Sequence, residues 1–258
     1  MDSAIFTNEQ HKVWRTLYAN MTPRTERYAC RQWLEGFELL SLPEERIPSL
    51  DTLNQRITPR TGWWTKRTTI RYSDAVPWYH HFAQKIFLVT DFIRPLQELD
   101  FTPEPDMFHD IYGHLPFMTL PEYAELQEMF APAFLRATAE QREAIKRLAW
   151  FSTEFGLIRE RGEIKAFGAG LTSSAGEMEH VMSGRTPLLP YTVENVIDHN
   201  KAIFSYNNAL FVFDSLDALK AELARYFTPI LAQPLRDDGY RGADWNLREY
   251  QEGLSAER

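Results

Sequence analysis

The sequence predicts a mainly α-helical domain with a few short β-strands. Apolar residues recur at helical spacing in several long segments, whereas the β-favouring runs are short and few. No fixed-period repeat or low-complexity linker interrupts the 258 residues. Because a single core can reach roughly 250–300 residues before it splits, we expect one domain over residues 1–258.

The first predicted elements are helices. The segment "TERYACRQWLEGFELLSL" has apolar residues at helical spacing and ends before Pro43. A second, short helix is expected after Ser49, a residue type suited to cap it. The apolar residues of these two helices are Trp33, Phe37 and Leu40, and Leu50, Leu53 and Ile57.

Three short segments favour strands because they are rich in β-branched and aromatic residues. They are "TKRTTIRY" at 65–72, "IKAFG" at 164–168 and "NALFVF" at 208–213. We therefore expect a small β content.

Two further amphipathic helices have clear N-terminal signals. Thr138 and Gln141 have the spacing of a capping box for a helix through "AEQREAIKRLAWFSTEFGLI". A later helix is expected to start at Ser215 and to stop at Pro229. Their apolar faces comprise Ala144, Leu148, Phe151 and Phe155, and Leu216, Leu219 and Leu223.

Composition excludes several classes of protein. The net charge of −8, with no basic block, argues against a nucleic-acid partner. A single cysteine, Cys30, and the lack of a leader-like start indicate the cytoplasm. No apolar run approaches the roughly 20 residues of a membrane helix. The polar residues 237–258 lack heptads, so we expect a fraying tail, no oligomerisation coil and a monomer.

The segment "FTPEPDMFHDIYGHLP", residues 101–116, contains the most chemically informative pair of side chains. We expect a helix to begin near Asp106 and to end at Gly113 and Pro116. His109 and His114 are five residues apart, which is about 140° around an ideal α-helix. They can converge on one ion only where the helix end is distorted. The alternative is two histidines with ordinary hydrogen-bond partners.

A carboxylate in an apolar setting favours the metal hypothesis. Glu154 lies in "LAWFSTEFGLI" among large apolar side chains, where an unpaired charge is costly. Its alternative role is a buried salt bridge or a helix-end glutamate. Two histidines and one carboxylate form the facial triad of oxygen-activating ferrous iron sites, although the spacing alone does not bring them together.

Several separated motifs resemble those of the pterin-dependent aromatic amino acid hydroxylases, in particular the compact bacterial phenylalanine hydroxylases. They are "RIPSLDTLN", "FTPEPDMFHDIYGHLP", "WFSTEFGL", "KAFGAGLTSSAGE" and "LFVFDSLDALKAEL". The resemblance runs from about residue 11 to about residue 227. It implies a catalytic domain alone, mostly helical around an open iron cleft, without a regulatory domain or tetramerisation coil.

The resemblance also implies roles for individual residues. Arg94 would bind the substrate carboxylate in two-point fashion and Asp106 would orient it, while Thr102 and Ser173 would hold the amino acid backbone. The implied iron ligands are His109, His114 and Glu154. The implied ring-pocket residues are Trp150, Phe155 and Gly170, and the implied pterin-side residues are Trp78 and Asp110.

By the same resemblance, ferrous iron and a tetrahydropterin activate O₂ to hydroxylate the ring of a free aromatic amino acid. A separate dehydratase and reductase would then recycle the pterin. L-Phenylalanine, giving L-tyrosine, is the expected substrate because Leu88, Phe101 and Ile203 fall where the family tunes substrate choice and are all apolar. Tryptophan hydroxylation and meta-hydroxylation of phenylalanine remain open.

Two other classes of function remain open as well. A zinc hydrolase could use the same ligands, but no HExxH motif supplies its general base. A non-catalytic binding protein is conceivable because Ala149 replaces the aromatic residue common in relatives before the tryptophan of the glutamate motif. A second departure is the pair His80 and His81 in the pterin-side segment.

Overall fold

Helices dominate the computed structural model, which describes residues 6–99, 105–202 and 205–242. This agrees with the predicted fold class. The α-helices in the described residues are α1 (Asn8–Tyr28), α2 (Arg31–Leu40), α3 (Leu50–Thr61), α4 (Ala75–Phe82), α5 (Pro121–Phe134), α6 (Ala139–Ala149), α7 (Ala169–Thr172), α8 (Ala175–Met182), α9 (Val193–Ile197) and α10 (Leu216–Leu231). The strands are β1 (Trp64–Thr68), β2 (Ile86–Thr90), β3 (Leu157–Glu160), β4 (Glu163–Ala166), β5 (Leu188–Pro190) and β6 (Leu210–Phe213).

The strands form two small sheets. β1 and β2 pair in parallel, in register from Trp64 opposite Ile86 to Thr68 opposite Thr90. The second sheet has the order β4-β3-β6-β5, in which β3 is antiparallel to β4 and parallel to β6. Strands β1, β4 and β6 overlap the three predicted segments, whereas β2, β3 and β5 were not predicted. β2 is buried at all five positions and therefore lacks the alternation that marks a half-buried strand.

The predicted caps are present. Ser49 Oγ accepts from the backbone N–H of Thr52 at the start of α3. Thr138 and Gln141 form a complete capping box for α6. Ser215 caps α10, which continues two residues past Pro229 rather than stopping there. Proline lacks the N–H that would bond to the carbonyl four residues earlier, and this helix ends within one turn of Pro229.

Two predicted helices end differently from expectation. The segment over 25–42 is divided between α1 and α2, because Ala29 is extended and Cys30 N–H donates to the carbonyl of Ala166 at 2.9 Å. The helix predicted through Ile158 ends at Glu154, and β3 begins at Leu157. In both places, hydrogen bonds to the sheet replace those of a longer helix, and helical spacing in the sequence does not report such partners.

The C-terminal segment returns to the helices instead of fraying at 237. Arg236 N–H donates to the carbonyl of Leu135 at 3.0 Å. Asp238 is 8% exposed as a side chain and pairs with His80 and Arg142. The rest of the predicted tail, 243–258, lies outside the described residues.

An aromatic cluster positions the segment that contains the two histidines. Trp33 Nε1 donates to the carbonyl of Gly113 at 3.2 Å. The hydroxyl of Tyr112 is 3.1 Å from that of Thr25 on α1, and the Tyr112 ring stacks on Phe108 at 4.6 Å. These side chains are buried, so the backbone of 108–113 is held rigidly against α1 and α2.

Candidate active site

His109 and His114 are brought together by a π-helix over His109–His114. In a π-helix residue i bonds to residue i+5, so two residues five apart lie one above the other. The 140° separation of an ideal α-helix therefore does not apply. The expected distortion spans the whole segment and is not confined to its end. The two Nε2 atoms lie 3.1 Å apart.

A close approach between segments supports this geometry. A Cβ on Gly113 would lie 2.7 Å from the carbonyl oxygen of Ala169, the first residue of α7. Only glycine lets α7 pack this tightly on the π-helix. α7 in turn positions Ser173, which follows it directly.

Glu154 ends a second π-helical segment, Trp150–Glu154. Its Oε1 lies 3.0 Å from His114 Nε2 and its Oε2 lies 3.4 Å from His109 Nε2. Ligand atoms of the three residues all fall within 4.8 Å of one another. The structure thus brings the predicted triad together.

Ser173 decides which nitrogen of His109 faces this cluster. Ser173 Oγ is 2.7 Å from the carbonyl of Ala169, an acceptor only, so the hydroxyl proton is donated there. His109 Nδ1, 2.9 Å from the same Oγ, must therefore be the donor. In neutral His109 the lone pair is then on Nε2 and points at Glu154 and His114.

The donor set fits a divalent cation. A lone pair on His109 Nε2 facing a carboxylate oxygen is repulsive unless a positive charge, either a proton or a metal ion, lies between them. Three donors bound at right angles with bonds of about 2.1 Å lie about 3.0 Å apart, close to the distances observed here. Three protein ligands leave further coordination positions open.

The same contacts explain the electrostatics of Glu154. Burial alone would raise the pKa of this carboxyl, but His114 and His109 outweigh burial and hold the pKa far below its usual range. Burial lowers the pKa of His114 despite the neighbouring carboxylate. Glu154 is therefore an anionic ligand and His114 a neutral one at pH 7, the forms that bind metal ions.

Arg94 and Asp106 form a buried two-point ion pair. Arg94 Nε and Nη2 donate to the two carboxylate oxygens of Asp106 at 2.8 and 2.9 Å. Burial raises the pKa of Asp106, but Arg94 and two backbone N–H groups outweigh it and leave the pKa below its ordinary value. Arg94 Nη1 is buried without a hydrogen-bond partner among the described residues. This nitrogen and the outer N–H of Nη2 point the same way and can bind a carboxylate.

One cavity connects the triad with Arg94. The Trp150 and Phe155 rings form one part of its wall, with centroids 4.7 Å apart. A Cβ on Gly170 would lie 2.6 Å from the Phe155 ring, so glycine permits the observed ring position. Eight residues whose roles the resemblance implies line this cavity along with the triad: Trp78, Leu88, Arg94, Asp110, Trp150, Phe155, Gly170 and Ser173. Ala149, which departs from the family pattern, lines it as well.

The two pterin-side residues lie on the part of the wall next to β2. Trp78 packs on Phe82 and Phe87 with ring centroids 4.8 and 5.2 Å away. Asp110 accepts from the backbone N–H of Thr90 at 2.8 Å, and burial raises the pKa of Asp110 to about 7.

Some predicted residues do not line this wall. Asp106 is fully buried behind Arg94. His80 pairs with Asp238, and His81 is buried with Nδ1 2.8 Å from the carbonyl of Pro77, so neither histidine lines the cavity. Thr102, Phe101 and Ile203 lie outside the described residues.

Sequence reasoning missed several charged lining residues, among them Glu177, Lys146 and Lys201. Glu177 follows Ser174 by three residues, a pattern typical of a helix capping box. The sequence therefore predicts a capping role for Glu177 and does not indicate a role in the cavity. No comparable signal marks the two lysines.

Known protein families and relatives agree with the geometry of this site. Residues 2–237 match the model of the family described as biopterin-dependent aromatic amino acid hydroxylase. A phenylalanine-4-hydroxylase of Mesorhizobium japonicum is 36% identical over 218 residues, 83% of this chain and 78% of the relative.

Solved structures of phenylalanine hydroxylase from Chromobacterium violaceum have the same fold. The structure with bound Fe(III) superposes with a TM-score of 0.82 and 29% identity, covering 94% of this chain and 90% of that one. Another, with iron(III) and oxidised 7,8-dihydrobiopterin, has a TM-score of 0.80 and 29% identity and covers 94% and 89% of the two chains. From its sequence, fold and converging side chains, this chain belongs to the biopterin-dependent aromatic amino acid hydroxylases.

Proposed function

We propose that this chain hydroxylates free L-phenylalanine to L-tyrosine, with ferrous iron bound by His109, His114 and Glu154 and a tetrahydropterin as co-substrate. The convergence of these three ligands in the cavity that also holds Arg94 carries the proposal. The C. violaceum enzyme, with iron(III) and 7,8-dihydrobiopterin bound in a similar fold, supports it.

The side chains of this protein determine the charge and the ligand orientation at the metal site. His109, His114 and Glu154 would hold ferrous iron with two neutral imidazoles and one carboxylate, which would leave one net positive charge at the site. When bound, ferrous iron and the tetrahydropterin supply the electrons that reduce O₂ for ring hydroxylation. Ser173 holds the His109 ring in the ligating tautomer.

Arg94 binds the substrate carboxylate through Nη1 and Nη2, and the aromatic ring packs against the wall formed by Trp150 and Phe155. Phenylalanine is favoured over tyrosine because Leu88 and the ring-pocket side chains provide no acceptor for a buried phenol. The bulk of Trp150 disfavours an indole. Thr102 is proposed to hold the amino acid backbone alongside these residues.

Trp78 would provide the stacking surface for the pterin, and Asp110 would lie beside it. An indole face suits a flat heterocycle, and a carboxyl that accepts from the Thr90 N–H is held in a fixed orientation. A separate dehydratase and a reductase must regenerate the tetrahydropterin, because each turnover consumes one.

The chain is proposed to act as a single catalytic domain and as a cytoplasmic monomer. One continuous set of buried apolar residues extends from Val13 to Ile230, and the free thiol of Cys30 is buried. Among the described residues, none of the helices has both the length and the apolar character that crossing a bilayer requires. Gel filtration tests the oligomeric state.

Anaerobic reconstitution with ferrous iron tests the function. Addition of tetrahydropterin, air and L-phenylalanine should yield tyrosine, identified by mass and retention time, with tyrosine and tryptophan as slower substrates. His114→Ala should lose iron and turnover, whereas His199→Ala, which does not line the cavity, should retain both.

Three outcomes would overturn the assignment. Iron content and turnover that survive His114→Ala would remove the triad from the proposal. Activity with 2-oxoglutarate in place of pterin would move the protein to another class of oxygenase. A preference for tryptophan would overturn the substrate.

A further inference from the structure

A free amino acid carries an ammonium group as well as a carboxylate. If the proposed function is correct, the cavity buries both charges, and an ammonium removed from water needs acceptors for its N–H groups. Arg94 serves the carboxylate. None of the roles assigned so far provides an anionic partner for the ammonium.

The acidic side chains that line the cavity differ in what they already contact. Glu154 faces the two histidines, and Asp110 accepts from the Thr90 N–H. Glu177 is 4% exposed and, within the described part of the chain, its carboxylate has no hydrogen-bond or ion-pair partner. It is therefore the lining carboxylate that remains available to a ligand.

The local structure shows that Glu177 is not used to cap its helix. In α1 and α6 the third residue of the helix is a glutamine whose side chain bonds back to the N-cap N–H and completes a capping box. In α8, Ser174 Oγ accepts from the Glu177 N–H at 3.4 Å, but the Glu177 carboxylate does not return a bond to Ser174. The same sequence pattern thus has a different outcome at the cavity.

Ser173 provides a second acceptor nearby in the chain. Its hydroxyl proton is donated to Ala169 and one lone pair accepts from His109 Nδ1, which leaves one lone pair and no proton. Ser173 can therefore accept from an ammonium but cannot donate to a carboxylate. Ser173 and Glu177 both lie on the short stretch that connects α7 to the first turn of α8.

We infer that Glu177 binds the α-ammonium of the amino acid substrate, with Ser173 as a neutral second acceptor, while Arg94 binds the carboxylate on the same carbon. The inference rests on the proposed function. Burial raises the pKa of Glu177 to about 7, and a bound ammonium would offset that cost. The site would thus select zwitterionic amino acids over aromatic acids that lack the amino group.

Paired ligands and paired variants test the inference. The affinities of L-phenylalanine and of 3-phenylpropanoate, which lacks the ammonium, are measured by titration calorimetry on the iron-loaded protein without pterin. Glu177→Gln keeps the shape but removes the charge. Glu179→Gln is the matched control, because Glu179 lies on the same helix but forms an exposed ion pair with Arg24.

Glu177→Gln should weaken L-phenylalanine binding about ten- to a hundredfold and leave 3-phenylpropanoate binding unchanged. Glu179→Gln should change neither. Unchanged binding of phenylalanine by Glu177→Gln, or an equal loss for both ligands, would overturn the inference while leaving the proposed function intact. A wild-type protein that neither binds nor hydroxylates phenylalanine would overturn both.

Discussion

Arg94 presents a guanidinium whose orientation is set before any substrate arrives. Asp106 occupies Nε and one proton of Nη2, so one N–H of Nη2 and one N–H of Nη1 remain as a parallel pair on another edge of the planar group. The pair is almost fully buried, with side chains 2% and 0% exposed. Preorganisation of this kind lowers the entropic cost of binding a carboxylate.

Replacing Arg94 by lysine should therefore lower kcat/KM for phenylalanine about ten- to a hundredfold, because lysine keeps the charge but lacks the two parallel N–H donors of the guanidinium. Iron content should stay unchanged. Steady-state kinetics and metal analysis check both statements, with Arg159→Lys, at an exposed ion pair, as a control. Equal kinetics in the two variants would contradict the assignment of Arg94. Arg94→Ala is less informative, since it leaves Asp106 buried without its partner.

Glu177 should make the free protein less stable at neutral pH. Its pKa is about 7 in the folded protein, above the ordinary value of 4.5. A raised pKa means that stability present below about pH 4.5 is lost as pH rises through 7. Glu177→Gln should therefore be more stable than the wild type by about 1–3 kcal/mol at pH 8 and equally stable at pH 4. Urea unfolding at the two pH values checks this, and a difference independent of pH would contradict it.

The two π-helical segments are the elements that build the metal site. Each one alters the helical repeat just where a ligand must face the cavity, His109 and His114 in one and Glu154 in the other. The first is held against α7 by the close approach at Gly113. A π-helical turn of this kind is stable only because the neighbouring elements are rigidly packed.

Gly113→Ala should loosen the metal site through this contact. The added methyl group would lie 2.7 Å from the Ala169 carbonyl oxygen, so α7 must move away and take Ser173 with it. We expect a loss of about 1–3 kcal/mol in the free energy of unfolding and weaker iron binding. Thermal unfolding and competition with a chelator measure these two effects. Wild-type values for both would show that α7 does not support the ligands.

At the scale of the whole molecule, residues 232–242 join helices that are distant in sequence. Asp238 links His80 on α4 with Arg142 on α6, and Tyr240 stacks on the His80 ring at 4.3 Å. Burial raises the pKa of Asp238, but the Tyr240 N–H, His80 and Arg142 outweigh it and leave the pKa below its ordinary value. The segment is thus part of the fold and stabilises the helix that carries Trp78.

Asp238→Asn should destabilise the protein by about 1–2 kcal/mol at pH 7. Because the folded pKa is depressed, this contribution is present above the unfolded pKa of about 3.9 and is lost as pH falls through the folded value. Chemical unfolding across that range measures it. The neighbouring Asp237→Asn, at an exposed pair with Arg241, should have no effect. Equal effects of the two substitutions would contradict the role of Asp238.

The sequence by itself determined the features that depend on nearby residues. Ser49, Thr138 and Ser215 mark helix starts because a cap needs only a side-chain oxygen two or three residues from an unpaired N–H. The motifs around His109 and Glu154 indicated the family because their order along the chain is itself the signal.

Only the tertiary structure decided what depends on distant partners. The end of the 139–158 helix at Glu154 follows from strand pairing of Leu157 with β4 and β6. The convergence of histidines five apart requires a π-helix, which is stable here because Gly113 packs against α7. The available carboxylate of Glu177 emerged only from the absence of a capping bond that its sequence pattern favours. In each case the deciding interaction joins residues that the local sequence does not bring together, so no spacing rule could report it.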